Sequence, residues 1–280
     1  MDDNEASPEY WINMAFSLQR EGKPDKAQKY YEEALKLDPD IFEAWMNLGT
    51  IYDEMNNLDE AMTCYKNAKN LNPSNAAIWY NIGFILKRQN KLSDAILHYN
   101  ESLRLRPANI AVLLAKGNTH VALEELEQAA ESYDKITKIN PEYVAAWVNK
   151  AVVLLRMNKY QDAIPCYERS LKLTPDDINL WWDKSFAHVS LEQYNEANQC
   201  YDEILKRDPT HLNALDGKGA VQGFKGNFKE AISFFDKALE IDPKNSRILR
   251  NKASALEQLG DRASAEEYYN QAISLELGYQ

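Results

Sequence analysis

Apolar side chains along this chain fall three and four residues apart within short blocks. That spacing lines one face of an α-helix, and alternating strands cannot produce it. The blocks themselves recur. Prolines stand at Pro39, Pro73, Pro107, Pro141, Pro175, Pro209 and Pro243, each 34 residues after the last. With each proline taken as position 32, eight units begin at Pro8, Phe42, Ala76, Ile110, Val144, Ile178, Leu212 and Ser246 without insertion. Position 20 is alanine in every unit, from Ala27 to Ala265, so the side chain there must be small. Position 24 is aromatic throughout (Tyr31, Tyr65, Tyr99, Tyr133, Tyr167, Tyr201, Phe235, Tyr269), position 4 is Trp or Leu, and position 8 is Gly, Ala or Ser. Large knobs beside small holes describe helices packed in pairs. Two helices of about 14 residues fit each unit, and the proline at 32 stops the second. Glycine (Gly22, Gly226, Gly260) or asparagine (Asn56, Asn90, Asn158) at position 15 marks the turn between them, because both tolerate the left-handed backbone that ends a helix.

These residues, Trp or Leu at 4, Gly or Ala at 8, Ala at 20, Tyr or Phe at 24 and Pro at 32, resemble the tetratricopeptide repeat over residues 8–279. The resemblance implies an all-α fold, an α-α superhelix. This is a right-handed solenoid of antiparallel helix pairs in which the first helix of each unit (A) lines a concave groove and the second (B) faces outward. The expected organisation is a short acidic lead at 1–7, then a single array of eight repeats at 8–41, 42–75, 76–109, 110–143, 144–177, 178–211, 212–245 and 246–279.

Composition narrows the function classes. The chain has 280 residues, 45% hydrophobic and 27% charged, which suits a well-cored folded protein. Lys and Arg number 32 against 43 Asp and Glu, a net charge of -11 that argues against nucleic acid as a partner. No apolar run approaches the ~20 residues that span a bilayer, and the acidic amino end lacks the order of a signal peptide. A cytoplasmic location with no membrane association is therefore expected. Three cysteines suit reduced thiols. Cys64, Cys166 and Cys200 share position 23, and His120 and His188 share position 11, so the repeat accounts for them better than a metal does. Neither cofactor nor catalysis is expected, since a solenoid lacks the turns and deep pocket that catalytic constellations use.

Core packing uses positions 4, 8 and 11 of helix A and leaves a second face free. There the sequence places large apolar residues at positions 5 and 9: Ile12, Phe16, Met46, Tyr80, Phe84, Leu114, Val148, Val152, Trp182 and Phe186. A contiguous exposed apolar stripe marks a site for another molecule, unless neighbouring A helices cover one another. Position 6 is Asn in five units (Asn13, Asn47, Asn81, Asn149, Asn251), an incomplete ladder of amides that could pair with the backbone of a bound peptide. It is similar to the ladder in the repeat domain of O-linked N-acetylglucosamine transferase, a likeness that concerns the groove alone. The alternative is that these amides bond to one another or to helix backbone. The carboxylate clamp of chaperone-binding repeats needs Lys at position 5 and Asn at 9. Asn118 stands at 9, but Leu114 is its partner. Glu9, Glu43, Asp53 and Glu54 gather in the first two units and Lys87, Arg88 and Arg156 further on, so a charge-polarised groove is expected.

Units four to eight carry Lys at position 7 (Lys116, Lys150, Lys184, Lys218, Lys252), where units one to three carry Met14, Leu48 and Ile82. Acids at position 25 (Asp134, Glu168, Asp202, Asp236) could pair with the lysine of their own unit or of the next, and an anion-binding row is the alternative. Gly217, Gly219 and Gly223 read as a locally soft helix rather than a phosphate loop. Tyr10 and Met14 at one end, and the lack of a polar capping helix at the other, suggest self-association through terminal repeats or a longer protein. The leading expectation is a non-enzymatic scaffold that binds an extended or partly helical peptide, with Ile12, Asn13, Phe16, Met46, Asn47, Tyr80, Asn81, Phe84, Leu114, Asn118, Val148, Asn149, Arg156, Trp182 and Phe186 as its contacts. A self-assembling structural protein and the targeting subunit of a separately encoded enzyme are the alternatives.

Overall fold

The computed structural model describes residues 7–278. Among these the regular secondary structure is sixteen α-helices in tandem, grouped in two compact units, the first ending in sequence at Pro141 and the second beginning at Glu142. Unit 1 contains α1 (Pro8–Arg20), α2 (Pro24–Leu37), α3 (Phe42–Glu54), α4 (Leu58–Leu71), α5 (Ala76–Arg88), α6 (Leu92–Leu105), α7 (Ile110–Ala122) and α8 (Leu126–Ile139). Unit 2 contains α9 (Val144–Arg156), α10 (Tyr160–Leu173), α11 (Ile178–Ser190), α12 (Tyr194–Arg207), α13 (Leu212–Phe224), α14 (Phe228–Ile241), α15 (Ser246–Gln258) and α16 (Arg262–Leu277). Every odd helix starts at the first residue of a 34-residue repeat. Within each unit, A and B helices of one repeat pack together, and each B helix packs on the next A helix.

The turns explain the spacing. Position 15 is left-handed in all eight repeats: at Gly22, Gly226 and Gly260, at Asn56, Asn90 and Asn158, and at Glu124 and Glu192, where the sequence carries no turn signal. Tertiary packing imposes the turn on the two glutamates. The alanine at 20 is buried throughout, and the tyrosine at 24 crosses the helix pair to rest on position 8. A Cβ at Gly49 would stand 2.7 Å from the Tyr65 ring, and one at Gly83 2.7 Å from the Tyr99 ring. The close approach therefore requires glycine there. Position 4 does more than fill space: the Trp45, Trp79 and Trp181 indoles donate to the carbonyls of Pro39, Pro73 and Pro175 at 2.8, 2.8 and 2.9 Å. Helix stop and following helix are thereby tied together, which links Trp at 4 to Pro at 32.

Candidate functional site

In unit 1 the A-helix face is built from α1, α3, α5 and α7. Ile12, Met46, Tyr80, Phe84 and Leu114 are half-buried, whereas Phe16 is 52% exposed. Tyr80 lies 6.2 Å from the Phe84 ring and 6.0 Å from that of Tyr99, a geometry typical of tilted aromatic pairs. The ladder positions do not behave alike. Asn13 is exposed and Asn81 half-buried, and no hydrogen bond among the described residues engages either side chain. Asn47 sits beside the Tyr31 hydroxyl: burial raises the Tyr31 phenol, and the amide partly offsets the rise. Asn118 is exposed but accepts the Tyr133 hydroxyl at 2.7 Å. The charges also meet one another. Arg88 pairs with Asp53 and donates to Asn56 Oδ1 at 2.6 Å, so these two of the charges expected to polarise the face meet each other between adjacent A helices.

In unit 2 the corresponding face comes from α9, α11, α13 and α15. Val148 and Asn149 are half-buried and Arg156 is exposed. Trp182 is half-buried against Tyr201 at 6.0 Å and His211 at 6.3 Å. Phe186, 51% exposed, meets the edge of Tyr160 at 6.2 Å. Asn251 is spent internally, its amide donating to Asp216 at 2.8 Å. Asp183 replaces the amide in its repeat, and burial, then Asp177, holds its carboxyl above the usual range.

Sequence reasoning missed a cleft of about 440 Å3 between α13 and α15, lined by Ala220, Gly223, Phe224, Phe228, Asn251 and Gln258. Phe224 is 65% exposed and stacks on Tyr194 at 5.6 Å. Small residues at 9 and 12 beside two phenylalanines were the available signal. The glycines of α13 also differ from a merely soft helix. A Cβ would stand 2.7 Å from Tyr201 at Gly217 and 2.5 Å from Phe235 at Gly219, while Gly223 faces open space.

The lysine row has a direction. Lys184 Nζ reaches Glu168 at 3.1 Å, Lys252 reaches Asp236 at 2.6 Å, and Lys218 pairs with Asp202. Each lysine thus meets position 25 of the preceding repeat, while its ammonium lies over an aromatic ring: Lys218 Nζ is 4.9 Å from the Phe234 centroid and Lys252 Nζ 3.9 Å from that of Tyr268. At position 11, His120 Nδ1 contacts Glu125 at 2.6 Å and His188 Nδ1 contacts Gln193 at 2.8 Å, each joining helix A to the start of helix B. Burial pushes the Cys64 thiol up to about 12 and that of Cys200 up to about 11, which disfavours nucleophilic thiolates. Among the described residues, no group of three or more His, Cys, Asp or Glu is placed to hold a metal ion, and no helix is long and apolar enough to cross a membrane.

Tetratricopeptide-repeat family models match residues 8–41, 30–63, 49–90, 76–109, 114–178, 187–246 and 225–276. No curated protein matches the chain by sequence. Similar solved structures include YrrB, described as a TPR protein with an unusual peptide-binding site (22% identity, TM-score 0.58, covering 67% of this chain and 97% of that one). A tetratricopeptide repeat protein from Parabacteroides merdae covers 95% of this chain and 98% of its own at 18% identity and TM-score 0.58. MamA covers 61% and 94% at 23% identity and TM-score 0.55. With family matches along almost its whole length and sixteen helices in the repeat's register, the chain belongs to the tetratricopeptide repeat family.

Proposed function

We propose that this protein is a non-enzymatic scaffold whose A-helix faces bind an extended or partly helical peptide segment of another protein. One observation carries the reading: large apolar side chains left partly exposed, such as Phe16, Tyr80, Phe84 and Phe186, share these faces with the amides of Asn13, Asn81 and Asn149, which no hydrogen bond among the described residues engages. Water held against such a stripe is released when a peptide covers it, and unpaired amides can take the peptide's backbone groups. In an extended ligand, one backbone group would meet successive A helices about every third residue, given roughly 8 to 10 Å between helices and 3.3 Å per residue. Asn13, Asn81 and Asn149 are assigned to backbone capture, and Trp182, Phe186 and the Phe224 cleft to side-chain pockets in unit 2. YrrB, likewise a TPR protein, is described by its peptide-binding site, which agrees with this use of the fold.

Peptides selected by display on the intact chain test the reading. Asn81→Ala and Phe84→Ala should each weaken a selected peptide bound at unit 1 by about tenfold, the effect of losing one hydrogen bond or one pocket contact. The melting temperature should stay unchanged for Asn81→Ala. Peptides retained equally by variants of both faces would refute the proposal. A second reading, end-to-end stacking, draws on Ile273 and Leu277, which are 42% and 64% exposed on α16. Concentration-dependent mass in sedimentation without added peptide would favour it.

A further inference from the structure

Between α2 and α4, above α3, lies a cleft of about 480 Å3 floored by Trp45, Leu48 and Tyr52 and bordered by the acids Glu32, Asp59 and Glu60. It is on the B-helix side of unit 1, away from the face assigned to peptide binding. The repeat frame shows what normally fills it. In repeats five and six the equivalent residues are Trp181 at position 4, Lys184 at 7 and Cys200 at 23, with Glu168 and Leu171 contributed by the preceding repeat at 25 and 28. Lys184 Nζ lies 3.1 Å from Glu168 Oε1 and 5.7 Å from the Trp181 ring. Repeats one and two carry Trp45, Cys64, Glu32 and Leu35 at those positions, with Leu48 in place of the lysine. Of these five positions only the one that carries the cation differs, while the lining residues Tyr52, Asp59 and Thr63 stand where repeat six has His188, Asn195 and Gln199. Lys218 with Asp202 and Lys252 with Asp236 repeat the same arrangement.

Glu32 has no salt-bridge partner among the described residues, although Lys36, one turn on, feels its charge. Among the described residues no ion pair reaches Glu32, Asp59 or Glu60, and Lys36, the cation at the cleft's edge, turns to Glu33 at 2.6 Å. Glu32 Oε1 accepts from Gln28 Nε2 at 2.8 Å and from the Tyr52 hydroxyl at 2.7 Å, so the carboxylate is held in place while Oε2 remains open. The electrostatic contrast is visible at the matching thiols: burial and then Glu32 raise Cys64, whereas at Cys200 Lys184 opposes the effect of burial. The next cleft along lacks this character, because Ile82 at position 7 faces Lys66 at 25. Across the eight repeats, an acid at 25 meets an apolar residue at the following position 7 in this one place.

We propose that the cleft receives a lysine side chain from a second protein, its stem lying on Trp45 and Leu48 and its ammonium meeting Glu32, with Asp59 and Glu60 attracting the basic stretch that carries it. The protein's own lysines thus define the chemistry of the guest: an alkylammonium over an indole, paired with a pre-positioned carboxylate. The net charge of -11 favours approach of such a basic segment.

The test uses the intact chain and two peptides, one with a central lysine within a stretch of arginines and neutral residues and one identical but with that lysine acetylated. Affinity is measured by calorimetry, and the Trp45 indole N–H is followed by NMR. The lysine peptide should bind at least about tenfold more tightly than its acetylated form, since acetylation removes the charge. Glu32→Gln should cost a similar factor. Leu48→Lys, which supplies the missing cation from within, should abolish binding while helix content is retained and the melting temperature is unchanged or raised. Equal affinity for the two peptides, absence of binding to both, or undiminished binding by Leu48→Lys would overturn the proposal. So would a peptide that Asn81→Ala weakens and Leu48→Lys does not, because it would be bound on the A-helix face.

Discussion

Tyr99 and Tyr133 occupy the same repeat position, and the structure predicts that deleting their hydroxyls changes stability in opposite directions. Tyr99 is fully buried, and its hydroxyl has no hydrogen-bond partner. The reason lies in its own repeat, where position 9 is the apolar Phe84, whereas Tyr65 and Tyr133 find Thr50 and Asn118 at that position. The neighbouring Thr119 hydroxyl donates to the Ala115 carbonyl at 2.7 Å, and its free lone pairs, which only partly offset the effect of burial on the Tyr99 phenol, do not come within hydrogen-bond distance of it. A buried hydroxyl left unpaired costs roughly 1 to 3 kcal/mol. Tyr99→Phe removes it and keeps the ring that fills the space above Gly83. A gain of about 1 kcal/mol is expected, taking the lower end because local relaxation relieves part of the cost. At Tyr133 the hydroxyl donates to Asn118 at 2.7 Å, so Tyr133→Phe forfeits about 1 kcal/mol. Urea unfolding at constant m should show the midpoint rising for the first variant and falling for the second. Calorimetry should show shifts of about 2 to 4 °C in those directions. A lower midpoint for Tyr99→Phe, or equal losses at both sites, would refute the argument from hydrogen-bond satisfaction.

Further outcomes follow from the same geometry. Burial holds the phenols of Tyr65 and Tyr133 up at about 12 and raises Tyr99 and Tyr167 as well. In the unfolded chain tyrosine ionises near pH ~10, so the stability contributed by these groups is complete below that value and is lost as pH rises towards the folded values. Phenolate absorbance should therefore gain a late phase coincident with loss of helical circular dichroism; buried tyrosines ionising near 10 with helix intact would contradict this. Ala95→Leu places a large side chain at a fully buried position beside Gly83 and should destabilise by about 1 to 3 kcal/mol in urea, which a neutral result would disprove. Glu192 holds φ 56° without the tolerance of glycine or asparagine. Glu192→Gly should stabilise by about 0.5 to 1 kcal/mol, and Asn158→Gly, at φ 57°, should be close to neutral.

The amino-acid sequence alone determined the helices, the repeat boundaries and the core, because a 34-residue period writes the same packing instruction again and again: alanine to admit and an aromatic ring to fill in all eight repeats, proline to stop in seven. Periodicity reports burial, and burial is common to every repeat. Features that depend on who stands opposite were out of its reach. The frame could not say that Lys184 chooses Glu168 of the preceding repeat, or that Arg88 spends its charge on Asp53. Nor could it say that Asn81 stays unpaired while Asn118 and Asn251 are engaged within the fold. Identical letters at identical positions acquired different partners because hydrogen bonds and ion pairs are short-ranged and depend on neighbouring helices, where the sequence does vary. The two clefts arose in the same way. Gly223 beside Phe224, and Leu48 where later repeats place lysine, open space because packing around them stays constant while the side chain that would fill it is missing.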